Sequence, residues 1–191
     1  FKPRKAYWSY HINYRMNKFI FLLIFLLGLS IRLYKIDLPL LEFYPSRQIQ
    51  TAEITRNLYR DGFDLLSTKV SYLGPKKELF LVEFPLYNFF VAHLYKLAGT
   101  SNEIFGRLFS IFGWILSYFI LYRIAIRYVG QNGALIAVFF YTFSPLSVLV
   151  SRSFQPDQLM ITISLASIYF ADSWARKKKV GLFYISAILV S

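Results

Sequence analysis

Five blocks of this chain carry almost no charge, and they restrict its fold more than any other feature. They run over residues 19–31, 108–122, 133–150, 158–171 and 180–190. A helix needs about 20 apolar residues to cross the hydrocarbon core of a bilayer, and most of these blocks reach that length once flanking aromatic and basic side chains are counted. The pattern predicts an all-α, multi-pass membrane protein.

The rare residue types argue against several kinds of site. The chain has no cysteine, which excludes a disulfide framework and a thiolate metal site. Its two histidines, His11 and His93, lie far apart in sequence, which disfavours a histidine-based metal centre. No cofactor is certain from the sequence; the metal site is unknown, and a divalent metal stays open as a cofactor.

The net charge of +12 has a distribution that disfavours nucleic-acid binding. The basic residues cluster beside apolar blocks, whereas the aromatic residues lie within the blocks and not in a basic groove. We therefore read the charge as an orientation signal, with the basic N-terminus and the Arg-Lys-Lys-Lys run at 176–179 both in the cytoplasm.

Placing both basic clusters inside fixes the number of crossings between them as even. We expect a cytoplasmic basic leader over 1–17, spans over 18–35, 105–128, 133–150 and 157–174, and a truncated span over 180–191. Residues 36–104 then form one long outer loop, which contains all but two of the ten acidic residues. The turn at 151–157 lies on the same side, so Asp157 faces the same compartment as that loop.

The outer loop carries the marks of two helices. Pro45 and Ser46 stand where the start and the cap of a helix belong, and Gly62 stands where the helix would end. On a helical wheel, the polar and the apolar residues of this helix gather on opposite sides, which is typical of a surface-lying amphipathic helix. The second helix, over 85–98, is about 21 Å long and too short to span, so we expect it to lie at the outer interface.

Several stretches in order resemble one family of enzymes. They are LGLSIRLYKIDLPLLEF, TAEITRNLYRDG, LVEFPLYNFFVAHLYKLAG, GRLFSIFGWIL and RSFQPDQLM, and they extend from about residue 26 to the end of the sequence. The arrangement resembles the GT-C membrane glycosyltransferases, in particular the protein O-mannosyltransferases and lipid A aminoarabinose transferases of the glycosyltransferase family 39 type. The resemblance implies a GT-C fold with two interfacial helices in the first outer loop, and implies that this sequence is its N-terminal part.

The resemblance also implies a reaction. Such enzymes take a sugar from a polyprenyl-phosphate carrier on the extracytoplasmic side and pass it to a protein, lipid or glycan. An acid near the start of the first outer helix acts as base on the acceptor, and the family pattern has Asp-Glu there. This chain has Arg47-Gln48 instead, which leaves the identity of the base open.

Three acids and four polar residues are the candidate site. Glu42 is the acid nearest to the missing pair, Glu83 matches an acid of the family pattern before Phe84-Pro85, and Asp157 matches the second outer acid. A loop acid in solvent, or an acid stabilised by a helix N-terminus, is the alternative for these three. We predict that Glu42, Glu83 and Asp157 are catalytic, and that Arg47, Gln48, Arg56 and Arg152 bind substrate, because guanidinium groups pair with phosphate oxygens. Interfacial anchoring is the alternative for the arginines.

The sequence therefore favours a cell-membrane glycosyltransferase with a cytoplasmic N-terminus and an extracytoplasmic active site. Its expected partners are a polyprenyl-phosphate-linked sugar donor, membrane lipid and a protein, lipid or glycan acceptor, with no nucleic acid. The alternative is a non-catalytic multi-pass protein, either a degenerate assembly subunit or a transporter. A transporter usually has polar or broken helices at the membrane midplane, and these blocks show few such features.

Overall fold

The computed structural model describes residues 4–41, 44–63, 65, 69–70, 78–79 and 84–190, with side chains from residue 16 onward except at 69, 78, 79 and 190. Within these ranges the elements are α1 (Arg4–Leu33), α2 (Pro45–Asp61), β1 (Lys69–Val70), β2 (Glu78–Leu79), α3 (Leu86–Ala98), α4 (Ile104–Phe143), α5 (Pro145–Arg152), α6 (Asp157–Lys177) and α7 (Val180–Val190). The predicted α-helical class is confirmed. The short antiparallel pair of β1 and β2, with Lys69 opposite Leu79, was not predicted.

Two of the described helices are long and apolar enough to cross a membrane. They are the part of α1 from Met16 to Leu33 and helix α4 from Ile104 to Phe143. Helix α4 is interrupted at Gly130, whose φ of 71° and ψ of −175° are not helical. This break falls between the predicted spans 105–128 and 133–150. The second of these is divided again at Ser144, because Pro145 begins α5.

The described helices belong to two compact units. The first unit comprises Phe1–Leu33, Ile115–Val148 and Thr162–Ser191, and the second comprises Tyr34–Trp114 and Leu149–Ile161. In the first unit, an aromatic cluster joins α1 to α4, with the ring centroids of Phe21 and Tyr118 5.0 Å apart. The Tyr118 hydroxyl donates to the Phe21 carbonyl at 2.8 Å, which fixes the register of the two helices.

A buried arginine near the end of α1 connects this helix to residues at the end of α4 and in α5. Arg32 is fully buried and donates to the carbonyl oxygens of Gly28 at 3.0 Å and Thr142 at 3.2 Å, and to the Ser147 hydroxyl at 3.2 Å. These bonds satisfy the Thr142 carbonyl in the last turn of α4, because the last carbonyls of a helix have no intrahelical N–H partner. Arg32 thus acts as a structural crosslink between α1 and the break after α4.

The second unit is built on α2 and α3, which pack side by side. The Asn88 amide donates to the Thr51 carbonyl at 2.8 Å and to the Thr55 hydroxyl at 3.0 Å. Its core contains Leu40, Ala52, Tyr87, Val91, Tyr95 and Phe154. The predicted apolar face of α2 is therefore covered by protein, whereas the position of α2 and α3 along a membrane stays a prediction.

The start of α2 differs in detail from the prediction. The cap residue is Tyr44, in a left-handed conformation with φ 50°, and it makes no side-chain cap hydrogen bond. Pro45 occupies the first turn, where its missing N–H costs nothing, so Ser46 lies inside the helix and the prediction of Ser46 as the cap was wrong. The predicted end at Gly62 is confirmed, with φ 111°.

Candidate active site

An ion pair joins the start of α2 to the start of α6. Asp157 is the first residue of α6, where the positive end of the helix dipole favours a carboxylate. One Arg47 amino group lies 3.3 Å from an Asp157 carboxylate oxygen. The two side chains are 41% and 28% exposed, respectively, so the pair can be reached from outside the second unit. The structure thus brings together two residues that the sequence predicted for one site.

Hydrogen bonds from two other helices hold the turn before Asp157 in place. Residues 153–155, which connect α5 to α6, are buried. The Phe154 backbone N–H donates to the Gln48 side-chain oxygen at 2.9 Å, and the Ser110 hydroxyl donates to the Ser153 carbonyl at 2.8 Å. Helices α2 and α4 therefore both fix the backbone that presents Asp157.

The Phe154 ring needs a glycine beside it. A Cβ atom added to Gly106 would lie 2.2 Å from the Phe154 ring, so α4 can approach this turn only with glycine there. The Tyr87 hydroxyl donates to the Gly106 carbonyl at 2.8 Å and also contacts the Ser110 hydroxyl at 3.1 Å. Burial raises the pKa of the Tyr87 phenol, while the Ser110 contact opposes that rise, so the group stays protonated as a donor.

Gln48 lies within this support and not at the surface. It is 1% exposed, and its amide oxygen accepts the Phe154 N–H. Through this contact Gln48 positions the backbone of the turn before Asp157. Its predicted role as a ligand for sugar or phosphate stays a prediction.

The other two predicted arginines lie elsewhere in the second unit. Arg152, at the end of α5, donates to the backbone carbonyls of Tyr34 at 3.0 Å and Lys35 at 3.4 Å. Arg56 pairs with Glu103 at 3.1 Å. Among the described residues, Arg47 is the one of these three arginines for which an ion pair with a predicted catalytic acid, Asp157, is seen.

Glu42 and Glu83 lie outside the described residues, so their predicted catalytic roles stay predictions. Glu83 immediately precedes Phe84, which is described, and Pro85 caps α3. In the part of the chain that the structure describes, no three His, Cys, Asp or Glu side chains group as metal ligands.

Sequence reasoning missed one polar group beside Asp157. Gln155 is 1% exposed, and its amide nitrogen has no hydrogen-bond partner among the described residues. A buried donor without a partner is costly, which is typical of a functional site. The stretch Ser153-Phe154-Gln155-Pro156-Asp157 could have suggested it, because an amide two residues before an acid at a helix start is placed near that acid.

A comparison with protein families adds a second line of evidence to this geometry. The sequence profile of the dolichyl-phosphate-mannose-protein mannosyltransferase family matches residues 83–191, which is more than half of the chain. The chain belongs to this family. Comparisons with curated proteins and with solved structures found no significant match.

The family membership confirms the resemblance noted from the sequence. The matched region begins at Glu83 and includes Arg152 and Asp157, whereas Arg47 lies before it. Together with the apolar helices, it identifies a membrane protein of the mannosyltransferase type of glycosyltransferase, a type that uses a sugar donor linked to a polyprenyl phosphate.

Proposed function

We propose that this chain is the N-terminal part of a multi-pass enzyme that transfers a sugar from a polyprenyl-phosphate carrier to a protein, lipid or glycan acceptor on the extracytoplasmic side. The observation that carries the proposal is the accessible pair of Arg47 and Asp157 at the start of two helices. It joins a residue of the family-matched region to the first outer helix.

Arg47 stands where the family pattern has an acid, and this substitution changes the chemistry of the position. A guanidinium has five N–H donors, so Arg47 can keep its contact with Asp157 and also hold a phosphate oxygen. We therefore assign to Arg47 the stabilisation of the leaving polyprenyl phosphate. Asp157 orients Arg47 and limits the positive charge around it.

The reaction then needs a base from another element. A carboxylate takes the proton of the acceptor hydroxyl while the acceptor oxygen bonds to the anomeric carbon. The bond from that carbon to the phosphate oxygen breaks, and its electron pair leaves with the polyprenyl phosphate, where Arg47 stabilises the charge. We propose Glu42 or Glu83 as the base, with inversion at the anomeric carbon.

The support of the site fits this proposal. Asp157 stands on a turn whose backbone is bound by Gln48 and Ser110. Positioned catalytic groups need such rigid supports, because small displacements of reacting groups cost much of the rate.

One observation favours a different function. The Arg47–Asp157 pair partly neutralises the predicted catalytic acid that is described, as would suit a subunit that has lost activity. A non-catalytic assembly subunit would keep the fold and the ion pair but would show no turnover.

Substitution of two acids in the full-length protein tests the proposal. We expect Asp157→Asn and Glu83→Gln each to reduce sugar transfer at least ~10²-fold, the scale of positioned acid–base and electrostatic groups. The matched control is Asp172→Asn, because Asp172 is also paired with an arginine, Arg127, at 2.6 Å, but lies in the first unit.

Transfer is measured with a polyprenyl-phosphate-linked sugar, and the amount of folded protein is measured for each variant. Equal transfer by Asp157→Asn and Asp172→Asn would contradict the assigned site. An unchanged rate for both Glu83→Gln and Glu42→Gln would show that the base is another group.

A further inference from the structure

A polar cavity lies in the second unit. It has a volume of about 430 Å³, a size that suits a small ligand or a lipid headgroup. Three segments form its wall: residues 36–38 after α1, helix α2, and residues 101–107 at the start of α4. The charged lining residues are Asp37, Arg56, Arg60, Glu103 and Arg107.

Helix α2 separates this cavity from the Arg47–Asp157 pair. Arg56 follows Arg47 by nine residues, which is about 2.5 helical turns, so the two side chains leave α2 on opposite faces. Arg60 lies one turn beyond Arg56 on the cavity face. The cavity is therefore a separate feature from the candidate active site.

The cavity has an excess of positive charge. Three guanidinium groups face two carboxylates, and one of these carboxylates, Glu103, is already paired with Arg56 at 3.1 Å. Arg107 is 2% exposed and donates to the carbonyls of Ile36 at 2.7 Å and Pro39 at 3.1 Å, so it forms a fixed, positively charged wall. A bound anion would offset the repulsion between these arginines.

At least one hydrogen-bond donor of the cavity residues has no acceptor among the described residues. The Nε of Arg56 is buried and has no hydrogen-bond partner among the described residues. Ser101 and Asn102 add a hydroxyl and an amide to the lining. Guanidinium, hydroxyl and amide donors around one cavity are the groups that bind phosphate oxygens.

We propose that this cavity binds the phosphate group of a membrane lipid headgroup, at a site distinct from the one assigned to the sugar carrier. The lining residues 36–38 follow the end of the candidate span Met16–Leu33, and residues 101–107 include the start of the candidate span beginning at Ile104. Side chains at the ends of spans lie at the depth of the headgroups. Ile36, Leu38 and Ile104 provide the apolar part of the wall that glycerol and acyl carbons contact.

Native mass spectrometry of the full-length protein in detergent tests this site. The probe is palmitoyl-oleoyl-phosphatidylglycerol, titrated into wild type, Arg60→Gln and the control Lys96→Gln. Arg60 lines the cavity and is exposed, so its replacement spares the core. Lys96 is an exposed cation at the end of α3 outside the cavity, and its replacement removes the same charge.

We expect Arg60→Gln to weaken binding of the tightest lipid about 10-fold, the effect of one charge-assisted hydrogen bond, with Lys96→Gln unchanged. A second arm adds inorganic phosphate to the wild type. Lipid binding that millimolar phosphate does not displace identifies the headgroup as the ligand, whereas binding of phosphate alone with loss in Arg60→Gln supports the phosphate site with a soluble source. Equal lipid and phosphate binding by Arg60→Gln and Lys96→Gln would overturn the proposal, whether or not the protein transfers sugar.

Discussion

The two units each contain an arginine–aspartate pair, one at the start of α6 and one near its end, and the two pairs differ in their exposure to solvent. In the first unit the Arg127 and Asp172 side chains are 22% and 11% exposed, and Asp172 also accepts from Tyr128 at 2.7 Å. In the second unit the Arg47 and Asp157 side chains are 41% and 28% exposed. A closed, multiply bonded pair stabilises a fold, whereas an open pair can exchange a partner for a ligand.

The two units also have a structural feature in common. Among the side chains that the structure describes, each unit has a buried arginine that donates to distant backbone carbonyls, Arg32 in the first unit and Arg107 in the second. In the second unit Arg107 also lines a cavity, together with Arg56 and Arg60. We infer that the first unit is mainly membrane scaffold and that the second unit holds the chemistry.

The largest expected effect concerns the side of the membrane on which exposed parts of each unit lie. Single cysteines can be introduced without background because the chain has none. We expect an impermeant thiol reagent to label Leu97→Cys and Asn102→Cys in intact cells, and to leave Lys178→Cys unlabelled until the cells are opened. Leu97 is 85% exposed, which makes it a suitable site.

Labelling of Lys178→Cys in sealed cells would contradict the predicted topology. Labelling of all three positions only after lysis would place the second unit in the cytoplasm and would separate it from an extracytoplasmic reaction.

The next effect concerns the buried arginines. Arg107→Met and Arg32→Met each leave backbone carbonyls without their donors, so we expect each to lower the free energy of unfolding by about 3 kcal/mol. Thermal unfolding in detergent measures this, with Arg123→Met as the control, because Arg123 is an exposed arginine on α4. If Arg107→Met unfolds at the same temperature as Arg123→Met, Arg107 is not the crosslink of the second unit.

A smaller loss is expected where α4 meets Phe154. Gly106→Ala places a methyl group against a fully buried ring, and overpacking of this kind costs about 2 kcal/mol. The matched control is Gly181→Ala on α7, where a Cβ meets no atom within 4 Å and where alanine favours the helix. Equal stability of the two variants in denaturant titrations would show that the turn before Asp157 can shift at little cost in free energy. It would then contradict the claim that this turn is a rigid support for Asp157.

The helices could be predicted from the sequence to a large extent. Pro45 and Gly62 bounded α2 correctly because the cues for helix ends act within a few residues. The left-handed cap at Tyr44 and the break at Ser144 were not predicted. Tyr44 lacks a capping side chain, and the apolar residues on both sides of Ser144 hide the break.

The site was only partly predictable, since its contacts connect distant residues. Chemistry and resemblance selected Arg47 and Asp157, and the structure shows them paired across 110 residues. Gln48 was selected for its polarity, but its partner is the backbone of Phe154, which no local pattern reveals. Glu103 was not selected, and its contact with Arg56 depends on the packing of α2 near the start of α4.

Cleavage of the donor by the full-length protein tests the central claim most directly. The measurement is the rate at which polyprenyl phosphate is released from a polyprenyl-phosphate-linked sugar, for wild type and for Arg47→Gln. We predict release by the wild type and a rate at least ~10²-fold lower for Arg47→Gln, because the leaving phosphate loses a charged donor. No release by the folded wild type, or equal release by Arg47→Gln, would contradict the account.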